Sequence, residues 1–211
     1  MIRIIEIKPY EKTGQFAVYT QNGFEFAASR QYLLKNGVRV HAEIEEERFA
    51  ELKDQAFFQQ ALRHMLYQLE RRDFSAKELL LRLCEKGVDE IMAHRVVEYA
   101  IENGYVNDRK YAIRLTEKAK VSYGRFRIEN ALFAHGIEKD LATEILDEML
   151  DPEEEREKIL RLVDKSMKGR PIDDHKIESK LYAKLLRMGY EADQVKQVIR
   201  EYGRQEKEAE H

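Results

Sequence analysis

Three glycines share one apolar frame, and that repetition limits the chain to a tandem architecture. Gly87 has Leu83 four residues before it, Leu79 eight before, Val88 directly after, and Val96 and Val97 nine and ten after. Centred on Gly136, the frame returns Leu132, Ile128, Ile137, Ile145 and Leu146; on Gly189 it returns Leu185, Leu181, Tyr190, Val198 and Ile199. From Gly87 to Gly136 is 49 residues, and from Gly136 to Gly189 is 53. Leucines eight and four residues before a glycine lie on one helical face. The glycine takes the left-handed conformation that closes the helix, and the next residue packs back onto that face. A second helix follows and turns its apolar pair toward the first. Such a hairpin is too small to bury a core alone, so the units are expected to stack.

The 211 residues allow one large or two modest domains. Charged residues make up 36% of the chain, against roughly 25% in an average globular protein. That surplus suits an elongated stack better than a compact ball. A net charge of −3 argues against coating nucleic acid by bulk electrostatics. The single cysteine, Cys84, excludes an internal disulfide and a thiolate zinc cluster, and it is expected to be an inert, partly buried thiol. No apolar run approaches the roughly 20 residues of a membrane span. The N-terminus has no signal-peptide core, so a cytoplasmic protein is expected.

Taken in order, residues 1–42 predict a small β-rich cap. A first strand alternates from Ile2 to Ile7 and stops at Pro9; Gln15–Thr20 and Phe24–Ala28 form a hairpin about Asn22-Gly23. Ser29 caps a short helix closed by Asn36-Gly37. The cap is too small for an independent fold and should lean on the helices. Residues 43–104 predict a first three-helix repeat. Its acidic stretch Glu43–Asp54 leads into a helix carrying the stripe Phe57, Phe58, Ala61, Leu62, Met65, Leu66 and Leu69. Ser75 and Glu78 have capping-box spacing. A second repeat is expected over 105–150, after the helix-ending Gly104 and with Asn107 as the next cap. A third covers 151–205, opened by Asp151-Pro152, and 206–211 is a charged tail.

The basic residues concentrate in the second repeat. Arg109, Lys110, Arg114, Lys118, Lys120, Arg125 and Arg127 oppose only Asp108, Glu117 and Glu129 between Asn107 and Gly136, and Tyr123 interleaves with them. The flanking segments Glu43–Asp54 and Glu138–Glu157 are acidic by contrast. The set is therefore a candidate patch for phosphate or for an acidic protein surface, rather than a merely solvated helix face. Lys176, Lys180, Lys184 and Arg187 form a second strip, the first three at helical spacing. His64, His94, His135 and His175 show no metal-ligand spacing, and no nucleotide-binding, hydrolase or kinase signature occurs. The residues nominate no catalytic group, metal or cofactor, so a non-enzyme is expected.

The junctions between repeats carry motifs of their own: Arg72-Asp73-Phe74-Ser75 leading to Glu78-Leu79 and Leu83, and Gly104-Tyr105-Val106-Asn107-Asp108 followed by Tyr111-Ala112. A third runs through Gly124-Arg125-Phe126-Arg127-Ile128 and Leu132 to Gly136-Ile137. In these motifs and their order the chain resembles the RecX family of bacterial recombination regulators. Where the family writes two acids, the first is here Asn107, which caps a helix equally well. Asn22-Gly23-Phe24-Glu25-Phe26 resembles the extension of longer members. The resemblance implies a mainly α tandem array of three three-helix repeats. It also implies a protein that binds RecA and its single-stranded DNA filament; a monomer without cofactors is expected. Binding would limit ATP hydrolysis, strand exchange and co-protease activity, with direct DNA contact secondary. The other reading of the residues is a stand-alone helical DNA-binding module acting without RecA.

Overall fold

In the computed structural model the protein is described over residues 1–10, 14–167 and 175–209, with the side chains of 175–176 and 205–209 excluded. It is mainly helical with a small N-terminal antiparallel sheet, and it divides into two compact units. The first comprises Met1–Phe74 and Leu79–Val106; the second comprises Ser75–Glu78 and Asn107–His211.

In the first unit, β2 (Glu6–Tyr10), β3 (Gln15–Thr20) and β4 (Gly23–Ser29) form a three-stranded sheet, while β1 (Ile2–Arg3) pairs with β5 (Glu43–Ile44). The predicted first strand is thus two strands, broken at Ile4 and Ile5. Nor does Pro9 end it: Pro9 lies within β2 opposite Phe16. Because β2 is an edge strand, the proline's missing N–H removes no bond that an inner strand would need. The hairpin turn is Gln21-Asn22, one residue earlier than expected, since Gly23 already pairs with Thr20. A bulge between Val18 and Tyr19 leaves Glu25 without an opposite residue. The Glu25 carboxylate accepts from Thr20 Oγ1 and Lys53 Nζ, both at 2.7 Å. Burial pushes the Glu25 carboxyl up, but these two donors outweigh it and hold it below the ordinary value.

Helix α1 (Arg30–Lys35) is capped by Ser29, whose Oγ accepts from the Tyr32 amide at 3.1 Å. Helix α2 (Glu46–Leu69) begins well before the stripe that predicted it, taking the acidic segment into its first turns. The reason lies in the cap. Phe49, Leu52 and Ala56 of α2 complete a core with Ile4, Val18, Phe26, Leu33 and Val38. Burying a side chain the size of Leu52 or Phe49 contributes about 1.5–3 kcal/mol. Farther along α2, Ala61 and Met65 are buried beside α4 (Glu90–Glu102), whereas Leu66, expected in the stripe, is exposed. Helix α3 (Ala76–Glu85) contributes Leu79 and Leu83, both fully buried.

In the second unit, α5 (Asp108–Ala119), α6 (Arg125–Ala134) and α7 (Lys139–Met149) enclose Ala112, Ile128, Leu132, Ile137, Ala142, Ile145 and Leu146. Helices α8 (Pro152–Met167), α9 (His175–Arg187) and α10 (Ala192–Ala209) enclose Ile159, Val163, Leu181, Leu185, Tyr190, Val195 and Val198. The expected loop Gly169–Asp174 lies outside the described residues. Asn107 caps α5 by accepting from the Lys110 amide at 2.9 Å. Asp151 does the same for α8 through the Glu153 amide at 2.9 Å.

The framed glycines close α3, α6 and α9 at φ +82°, +80° and +88°. The residue after each donates its amide to the carbonyl five back: Val88 to Leu83, Ile137 to Leu132, and Tyr190 to Leu185. Gly37 closes α1 and Gly104 closes α4 in the same way.

Candidate partner-binding surface

Two junctions inside the second unit position the basic residues, and they are built alike. At one, Ser75 is wholly buried; its Oγ accepts from the Glu78 amide at 3.1 Å and donates to the His135 carbonyl at 2.5 Å. The Ala76 amide donates to Asp108 Oδ1 at 2.8 Å. At the other, the Gly124 and Phe126 amides donate to the Met188 and Gly189 carbonyls at 2.9 and 3.0 Å. The Arg125 amide donates to Glu155 Oε1 at 3.1 Å. In both places the first turn of a helix lies on a glycine turn, and a carboxylate from the neighbouring helix takes one orphan amide. Burial is the main cause that pushes the carboxyls of Asp108 and Glu155 up. The opening amides of α6 are therefore occupied from within and leave no phosphate cradle of the kind free helix N-termini offer.

The candidate cations fall into three groups around these junctions. Lys110, Arg114 and Lys118 follow one another at four-residue spacing along α5 and are exposed; so are Lys180 and Lys184 on α9. Among the described residues, none of the four lysines forms an ion pair. The side chain of Lys176 lies outside the described residues. A second group gathers at the α6–α9 junction. The Arg127 guanidinium covers the Tyr123 ring at 4.1 Å and donates through Nη1 to the Arg187 carbonyl at 3.1 Å. Arg187 itself donates to the Ala183 carbonyl at 3.3 Å. Phe126, beside them in sequence, is half exposed.

The third group is paired. Arg109 meets Glu144 at 2.9 Å and Glu148 at 2.8 Å, and Arg125 meets Asp147 at 2.6 Å. All three carboxylates belong to α7. The hydrogen bonds it donates to Glu144 and then to Glu148 hold the Arg109 guanidinium above its usual range. Lys120 Nζ reaches the Met149 carbonyl at 3.5 Å. Sequence reasoning set the acidic stretch against the basic one as a contrast and missed that they pair. Spacing relates residues within one helix, whereas these pairs form between helices.

Asp108 and Glu155 likewise act between helices. Each lies in the first turn of its own helix, Asp108 directly after the cap Asn107 and Glu155 four residues after the cap Asp151, and that acidic opening is the one signal the sequence offers.

No family model matches the chain. A regulatory protein RecX of Clostridium perfringens is 29% identical over 186 residues, covering 87% of each chain. One from Caldanaerobacter subterraneus is 26% identical over 197 residues, covering 93% of this chain and 98% of its own. A crystal structure of regulatory protein RecX superposes with a TM-score of 0.68 at 17% identity, over 94% of this chain and 98% of the other. RecX from Lactobacillus salivarius superposes at 0.62 and 21% identity, over 69% and 96%. Over most of its length the chain is similar in sequence to the RecX regulatory proteins, and over nearly all of it the fold is that of a RecX crystal structure.

Proposed function

We propose that the protein is a regulator that binds RecA and the RecA filament on single-stranded DNA and lowers its activity, ATP hydrolysis first. The observation that carries this reading is the kinship with regulatory RecX proteins over 87% of the chain. The repeats 105–150 and 151–205 offer the docking surface within the second compact unit. The exposed lysines of α5 and α9 supply its contacts to DNA phosphate or to acidic RecA side chains. Such a regulator must bind the active and inactive filament states with different affinity, since equal affinity shifts nothing.

The test is a titration into RecA on single-stranded DNA, following ATP hydrolysis and filament length. Hydrolysis falls with wild type, and K110Q/K118Q needs several-fold more protein for the same fall. Saturating binding with no change in hydrolysis or length defeats the reading. Among the described residues, the absence of ion pairs at Lys110, Lys118, Lys180 and Lys184 also favours a direct nucleic-acid contact. That contact reveals itself by salt-sensitive binding to single-stranded DNA without RecA.

A further inference from the structure

The paired arginines bear on how strongly the surface binds anions. Arg109 and Arg125 adjoin the exposed cations in sequence, Arg109 beside Lys110 and Arg125 between Tyr123 and Arg127. Yet their charged ends are turned onto α7. Glu144 and Glu148 stand one helical turn apart and grip Arg109 from two sides; Asp147, on the same helix, takes Arg125. Arg109 thus commits Nη1 to one carboxylate and Nη2 to another, and Arg125 commits Nη2 to a third; these are the donors with which an arginine would hold a phosphate. These are solvent-accessible pairs, with Glu144 and Asp147 56% and 62% exposed. Exposed pairs of this kind are weak and exchangeable. They are therefore suited to yield to a competing anion, not to hold the fold together.

We infer that Glu144, Asp147 and Glu148 act as an internal competitor, occupying Arg109 and Arg125 and setting the surface's affinity for the phosphates of single-stranded nucleic acid. A strand that reaches the lysines of α5 must displace these carboxylates to gain the two arginines, and until then it meets their negative charge. Binding to DNA alone is thereby kept weak. A partner that draws the carboxylates away, or brings its own cations to them, releases two additional phosphate contacts. This inference rests on the nucleic-acid contact proposed above.

The experiment measures fluorescence anisotropy of labelled oligodeoxythymidine across a salt series, with helicity checked by circular dichroism. It uses the full chain as wild type, as E144Q/D147N/E148Q, and as that triple variant with R109Q/R125Q added. The triple variant is expected to bind several-fold more tightly. Its log–log salt dependence should steepen by about 1.4, two phosphates at about 0.7 each on a single strand. Adding R109Q/R125Q should abolish both gains. If the triple variant does not fold, E148Q alone carries the same test with the same sign. A wild type that binds with the triple variant's affinity and slope overturns the competitor but leaves the nucleic-acid contact standing. A gain that survives R109Q/R125Q overturns it too, because net charge alone then explains the effect. No binding by wild type or triple variant overturns both the competitor and the contact.

Discussion

Substituting alanine for Gly189 separates what a glycine turn needs from what its neighbour needs. Gly87 and Gly189 close their helices with the same bonds and nearly the same backbone, at φ +82° and +88°. An L side chain in that left-handed region costs about 1–2 kcal/mol at either position. The surroundings differ. A Cβ on Gly87 meets nothing within 4 Å, whereas one on Gly189 overlaps the Arg127 backbone nitrogen and lies 2.5 Å from its Cβ. That overlap is relieved only by shifting α6, an overpacking cost of about 1–3 kcal/mol. The Phe126 amide also loses its bond to the Gly189 carbonyl as the helices part. Gly87→Ala should thus cost about 1–2 kcal/mol and Gly189→Ala about 2–5 kcal/mol. Native-state hydrogen exchange read by mass spectrometry resolves the two regions. Protection in Ala76–Glu85 should fall about tenfold in Gly87→Ala. In Arg125–Ala134 and His175–Arg187 it should fall a further tenfold or more in Gly189→Ala, at 1.4 kcal/mol per tenfold. Equal losses in the two variants would refute the argument, because the close approach to Arg127 would then have no energetic consequence.

Ser75→Ala removes a helix cap and leaves the His135 carbonyl without its buried donor; at about 1 kcal/mol for each, urea unfolding should show a loss of about 2 kcal/mol. Thr116 is wholly buried with no hydrogen-bond partner for its Oγ1, so Thr116→Val should stabilise by about 1 kcal/mol, and a destabilised variant would contradict this. Asp108 holds its proton more tightly folded than unfolded, chiefly through burial. Stability should therefore fall as pH rises from about 4 through the raised folded value, and Asp108→Asn, which still accepts from the Ala76 amide, should flatten that part of the profile. At the acid end the sign reverses: Asp54, lowered by its bonds from Arg95, contributes stability that disappears as pH falls through its folded value, and Asp54→Asn should remove that loss.

Much of the helical architecture is legible locally. Ser29, Ser75, Asn107 and the framed glycines act on amides and carbonyls within five residues, so spacing alone exposes them. Helix α2 was legible only from Phe57 onward, because the face carrying Phe49, Leu52 and Ala56 makes sense only once the sheet stands against it. Pro9 misled for a related reason: whether proline ends a strand depends on whether a neighbour needs its N–H, and β2 has a partner on one side alone. The basic residues of the candidate surface could be named from composition, but not sorted. Lys110 and Arg109 are adjacent in sequence, yet one faces solvent and the other is held by α7.

The sequence by itself determined the caps at Ser29, Ser75 and Asn107, the glycine ends of the helices, the apolar residues framed about Gly87, Gly136 and Gly189, and the similarity to RecX proteins. Those properties depend on short-range geometry and on order along the chain. Only the tertiary structure decided that the first turns of α3 and α6 lie on glycine turns about sixty residues away. It alone showed that Asp108 and Glu155 cap those turns, and that three carboxylates of α7 occupy two of the cations. The physical reason is common to all of these: each is a contact between helices, set by how the apolar faces seat against one another, and no periodicity within a single helix encodes it.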